Sequence, residues 1–168
     1  MRKVLSVGAG LLVLLALAGL ASAGENQNYS VHLNGATEVP ANASLATGQA
    51  IFQLSSDGTA LDYRLIVANL DNPVAAHIHI GPPGVNGPVV AFLFGPAPSG
   101  GGTANGVLAE GTITAASLVG PLAGQPFSVL IDALNSGNAY VNVHTNDGVD
   151  PTGTGPGDLP GGEIRGNF

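Results

Sequence analysis

His77-Ile78-His79 is the first place along this sequence where side chains could do chemistry together. In a strand, residues i and i+2 project to one face, roughly 7 Å apart along the backbone. Two imidazoles placed that way can share one metal ion at about 2.0–2.1 Å per bond. His144 ends a second alternating run, Tyr140-Val141-Asn142-Val143-His144. If Val141 and Val143 face a core, then Tyr140, Asn142 and His144 share the opposite face. Ile78 and Ile80 would likewise face the core and leave His77 and His79 on the other side. Should the two strands be neighbours, three imidazoles meet on one surface. Such a set suits copper and, as the less favoured choice, zinc. His32 is a weaker fourth member. Two other readings stay open: histidines on a solvated strand face, and histidines that hydrogen-bond nearby Gly/Pro loops.

Arg165 follows in Gly162-Glu163-Ile164-Arg165-Gly166. It could guide an anion toward a metal site, as a catalytic residue of a redox enzyme would. The favoured reading is a structural pair with Glu163 or with an acid such as Asp147. Asn146, Asp147, Asp150 and Asp158 supply oxygens for calcium, but they lack EF-hand spacing, and turn chemistry is the better reading.

Composition narrows the choices. The 168 residues hold 26 Gly and 12 Pro, no Cys, 9% charged residues and 45% hydrophobic ones. One core can form, with frequent interruptions and little room for long helices. Without Cys there are no disulfides, thiol nucleophiles or Cys-ligated metals. A net charge of −7 with only four Lys and Arg argues against nucleic-acid binding. The chain has no G-x-S-x-G, so a hydrolase nucleophile has no support.

Residues 1–23 have a basic start (Arg2, Lys3), an apolar stretch Val4–Leu20 and the small-residue site Ala21-Ser22-Ala23. This is the pattern of a cleaved signal peptide, favoured over a membrane anchor. No later segment is apolar enough to span a membrane. The expected location is secreted or periplasmic. Residues 24–28 read as a polar lead-in, and 29–168 as one domain.

The elements that must position the histidines are short. Strands are expected at 29–33, 50–54, 61–67, 74–80, 88–94, 107–113, 139–145 and 163–168. The second and third form a hairpin around Ser55-Ser56-Asp57-Gly58-Thr59. Residues 95–106 and 146–162 read as loops. Pro126–Leu134 is the one helix candidate, with Phe127, Leu130, Ile131 and Leu134 as its apolar stripe. The fold expected is all-β, an antiparallel Greek-key sandwich or barrel with one short helix.

Four runs resemble the CHRD (chordin) domain family: Ala76–Gly81, Asn86-Gly87-Pro88-Val89-Val90, Asn138–Thr145 and Pro160–Gly166. The likeness covers about 29–168 and implies an all-β extracellular domain. In chordin the domain is repeated in a secreted antagonist of bone morphogenetic proteins. Here a single copy stands without cysteine-rich modules, so that antagonism is not implied. A second likeness is to Cu/Zn superoxide dismutases, where an H-x-H, a later copper histidine and a C-terminal arginine occur in the order of His77, His79, His144 and Arg165. No histidine cluster stands between His79 and His144, so a bridging ligand and a zinc site are missing. Three functions follow: an exported non-enzymatic module that binds a metal ion, a copper redox enzyme, or an adhesive domain whose partner is an extracellular protein or matrix.

Overall fold

The computed structural model describes residues 27–168. The segment 1–23 expected to be a signal peptide and most of the lead-in lie outside the described residues. Eight strands are present among the described residues: β1 Asn28–Asn34, β2 Thr47–Leu54, β3 Ala60–Asp71, β4 Pro73–Ile80, β5 Val89–Phe94, β6 Thr103–Thr114, β7 Ala139–Thr145 and β8 Ile164–Asn167. The described residues also include one α-helix, α1, Ser128–Asn135. Every strand pairing is antiparallel, in the order β5-β4-β7-β8-β1-β2-β3-β6. Connections between non-adjacent strands cross the ends of a curled, nearly closed sheet, as the all-β barrel reading expects.

Alternation builds the core. On β3, Leu61, Leu65 and Val67 are buried while Asp62 and Arg64 are exposed. Phe52 on β2, Ile78 on β4, and Val141 and Val143 on β7 complete the interior. Tyr63 shares the inward face of β3 and donates its hydroxyl to the Leu93 carbonyl on β5 at 2.7 Å. That bond spans the seam between the two ends of the sheet. Helix α1 buries Leu130, Ile131 and Leu134, the expected stripe, and Asn135 at its end meets the Tyr29 hydroxyl of β1.

Two differences from the sequence reading have plain causes. β6 begins at Thr103, inside the segment expected to be loop. The long strand β3 offers its edge, and backbone pairing such as Leu70 with Ala104 needs no apolar side chain. The Thr103 hydroxyl also binds Asp71. The second difference concerns β7, which is buried on both faces. Tyr140 and Asn142 are only 2% and 4% exposed, where the sequence suggested an open polar face. A layer of loops covers them: residues 35–46, 81–88 and 157–163. Asn42 binds the Glu163 carbonyl, Asn86 binds the Val39 carbonyl, and Gly87 N–H donates to the Tyr140 hydroxyl, so the layer is stitched to itself and to the sheet.

β8 makes this architecture possible. It pairs with β7 over four positions and touches β1 at Asn34–Arg165, joining the two halves of the sheet. The hydroxyl of Thr37, in the short 3-10 turn after β1, donates to the Arg165 carbonyl and anchors that turn on β8.

Candidate metal centre

β4 and β7 are neighbours, with His77 opposite Asn142, His79 opposite Tyr140 and His144 opposite Ala75. Residues 77, 79 and 144 therefore lie on one face, as the two alternating runs suggested. One ligand nitrogen from each ring lies within 4.8 Å of the others. Among the described residues this is the group of three metal-type ligands that converges. His32 is exposed on β1 and does not join it.

Hydrogen bonds decide which nitrogens are free. His79 Nδ1 is 2.8 Å from the Gly87 carbonyl, and His144 Nδ1 is 2.8 Å from the Pro160 carbonyl. A carbonyl only accepts, so both Nδ1 atoms carry hydrogen. A neutral imidazole has one N–H, and both Nε2 atoms are left with bare lone pairs. His79 Nε2 is buried and has no partner. His144 Nε2 lies 3.0 Å from His77 Nδ1. Two nitrogens bound to one ion at about 2.0–2.1 Å stand roughly 2.8–3.4 Å apart for angles between square and tetrahedral. The loop hydrogen bonds of the structural alternative are thus present, and they are also the second-shell bonds that aim metal-binding imidazoles.

Burial keeps the rings neutral. It is the main cause that pushes His77 down from 6.5 to about 4, with the His144 and His79 rings adding to it. His79 is lowered chiefly by burial and also by the charge of Arg165, and His144 by burial and then by His79. The Phe92 ring packs edge-on against His77 at 5.0 Å between centroids.

The structure gives Arg165 a different place from either expectation. It is wholly buried, so it offers no surface to a diffusing anion. It pairs with neither Glu163 nor Asp147. Its guanidinium donates to Asn86 Oδ1, to the carbonyls of Pro82 and Val85, and to Asn167 Oδ1. It also lies 3.4 Å over the Tyr140 ring, while His79 stacks on Tyr140 at 4.7 Å and 9°. Arg165, Tyr140 and His79 thus stack across β8, β7 and β4. The same guanidinium pins the loop whose Gly87 carbonyl holds His79. Gly87 sits so close to β4 that any Cβ there would overlap the Ile80 carbonyl oxygen.

The loop acids do turn chemistry. Asp158 accepts from the Thr154 N–H and hydroxyl, and Asp147 from the Val149 N–H. Sequence reasoning missed Glu38, which is 5% exposed beside Gly162 and Asn142. The one available signal was that Glu38 is the single acid between Gln27 and Asp57.

Two outcomes are expected. Arg165→Lys removes the planar fork and strands several buried acceptors, which costs about 3 kcal/mol in urea unfolding. A loss below about 0.5 kcal/mol would mean the guanidinium anchors nothing. All three histidines have folded pKa values below their unfolded ones, and for His77 the unfolded chain binds more protons between about 6.5 and 4. The His77 contribution is complete above about 6.5 and is lost as pH falls toward 4, and His79 and His144 act in the same direction. Glu38, held up to about 7 by burial, works in the opposite direction. Unfolding midpoints should therefore fall with acid more steeply in Glu38→Gln than in the unaltered protein; equal or shallower slopes would contradict the assignment.

The family model of the CHRD domain matches residues 29–154. No curated protein and no solved structure matches the chain. The matched span includes β4 and β7 with all three histidines and ends before β8 and Arg165. Matched over well more than half of its length, the chain belongs to the CHRD domain family.

Proposed function

We propose that this chain is an exported, non-enzymatic module that binds one copper ion through His77, His79 and His144. The observation that carries this reading is the convergence of three neutral imidazoles, two of them with Nε2 left bare by carbonyls that hold Nδ1–H. An ion at their centre would satisfy the buried His79 Nε2, which no protein group reaches. Three imidazoles suit copper and zinc, and copper binds the tighter of the two to such a set. The three donors are neutral imidazoles, so an ion held by them would keep its full charge. Export rests on the signal-like start of the sequence. A redox enzyme of the superoxide dismutase kind draws no support from Arg165, which is occupied with the loop.

Titration of the purified protein with Cu(II) and Zn(II) tests this. One ion should bind per chain, copper ahead of zinc. His77→Ala, His79→Ala and His144→Ala should each weaken copper by roughly 100-fold or more, beyond the usual effect of a second-shell loss. His32→Ala should leave it unchanged. Absence of binding at micromolar metal, or full binding by the three variants, would leave an adhesive or structural domain as the reading.

A further inference from the structure

Tyr140 touches His79 in two ways. The residues stand opposite each other on β7 and β4, and their rings stack with centroids 4.7 Å apart and planes 9° apart. The Tyr140 hydroxyl sits on Gly87: it accepts the Gly87 N–H at 3.0 Å and lies 3.4 Å from the carbonyl oxygen of the same residue. That carbonyl receives His79 Nδ1–H at 2.8 Å. The contacts close a circuit from Tyr140 to Gly87, from Gly87 to His79, and from His79 back to Tyr140.

The circuit matters because its middle member is a glycine. A Cβ at position 87 would overlap the Ile80 carbonyl oxygen, so glycine is required there. Glycine is also the residue whose torsions its own atoms restrain least. A carbonyl on it keeps one direction only if the groups on either side are held. The Gly87 N–H is held by Tyr140, and the Pro88 carbonyl that follows takes the Ile80 N–H at 3.1 Å. Tyr140 is itself fixed in place. It is buried, with His79 of β4 on one side and the Arg165 guanidinium of β8 on the other, 3.4 Å from its ring centroid. A neutral imidazole can carry its hydrogen on either nitrogen. With the Gly87 carbonyl turned away, His79 would be free to carry it on Nε2, and that nitrogen would then hold no ion.

Resting on the metal reading above, we infer that Tyr140 is a positioning residue for the ion. Through Gly87 its hydroxyl keeps hydrogen on His79 Nδ1, and through its ring it sets the plane in which Nε2 is presented. Tyr140 is not a ligand, because its hydroxyl is spent on Gly87. A tyrosine is needed for both tasks: phenylalanine would keep the stack and leave the Gly87 N–H without its acceptor. His144 is the internal comparison. Its Nδ1 is held by the Pro160 carbonyl, in a loop fixed by Glu163 and Thr145, and Tyr140 has no part in that hold. Losing the hydroxyl therefore acts on His79 and spares His144. Groups that orient a metal-binding imidazole from behind are worth roughly 10–100-fold in metal affinity.

The test is Tyr140→Phe in the full chain, which keeps the aromatic face and removes only the hydroxyl. Nitrogen-15 NMR of the metal-free variant at pH 7 should show the His79 hydrogen divided between Nδ1 and Nε2, with that of His144 still on Nδ1. Cu(II) should bind the variant more weakly by roughly 10-fold or more. A His79 ring with hydrogen on Nδ1 alone, or copper affinity within about twofold of the unaltered protein, overturns the role and leaves the three-histidine site standing. A tautomer change of the same size at His144 also overturns it, since the variant would then have loosened the whole face. Should Tyr140→Phe not fold, the Gly87 amide of the unaltered protein decides. Hydrogen exchange slowed there by roughly 100-fold or more supports the bond to Tyr140, and exchange at the rate of an open loop overturns it. No copper bound by the unaltered protein overturns the metal reading and this role with it.

Discussion

Two backbone carbonyls, those of Gly87 and Pro160, set what this molecule can do. Each accepts an Nδ1–H and so decides the tautomer of one histidine. Burial removes the other escape, which would be a second proton on each ring. Lone pairs are therefore aimed at a shared small space, with no donor among the described residues to meet the one on His79. Lone pairs so confined are a cost to the folded chain, and a cation is the natural way to relieve it.

Those carbonyls are held from the closing segment of the chain. Glu163 and Arg165 are two residues apart and each commands one loop. Glu163 accepts from Ser44, from Thr145 and from the Gly157 N–H, which fixes the run carrying Pro160. The Leu159 N–H adds a bond to the Thr145 hydroxyl. Arg165 grips Pro82, Val85 and Asn86 and so sets the position of Gly87. A buried charge that spends its donors on carbonyls and amides in this way specifies loop positions, and its removal is costly because those acceptors are then left without water or partner. The strand that joins the two halves of the sheet is thus also the strand that sets the site.

Much of this was readable in advance, for a local reason. Strand periodicity is written in neighbouring residues, so β2, β3 and β7 and the shared face of His77, His79 and His144 followed from alternation alone. The stripe on α1 did too. Covering of that face was not readable. It depends on loops from residues 35–46, 81–88 and 157–163 meeting over β7, and nothing local announces such a meeting. Arg165 shows the limit well: its residue type suggested an anion or an acid, but its partners are carbonyls brought from about 80 positions away. Glu38 was invisible for the same reason, since its neighbours Asn142 and Gly162 are over a hundred positions distant. β6 started earlier than composition implied because a partner's edge outweighs a Gly-rich sequence.

Nitrogen-15 NMR of the imidazole rings in the metal-free protein at pH 7 tests the central claim most directly. The account predicts His79 and His144 as neutral rings with hydrogen on Nδ1 and a bare Nε2. Hydrogen on Nε2 of either ring, or a doubly protonated ring at that pH, would contradict it.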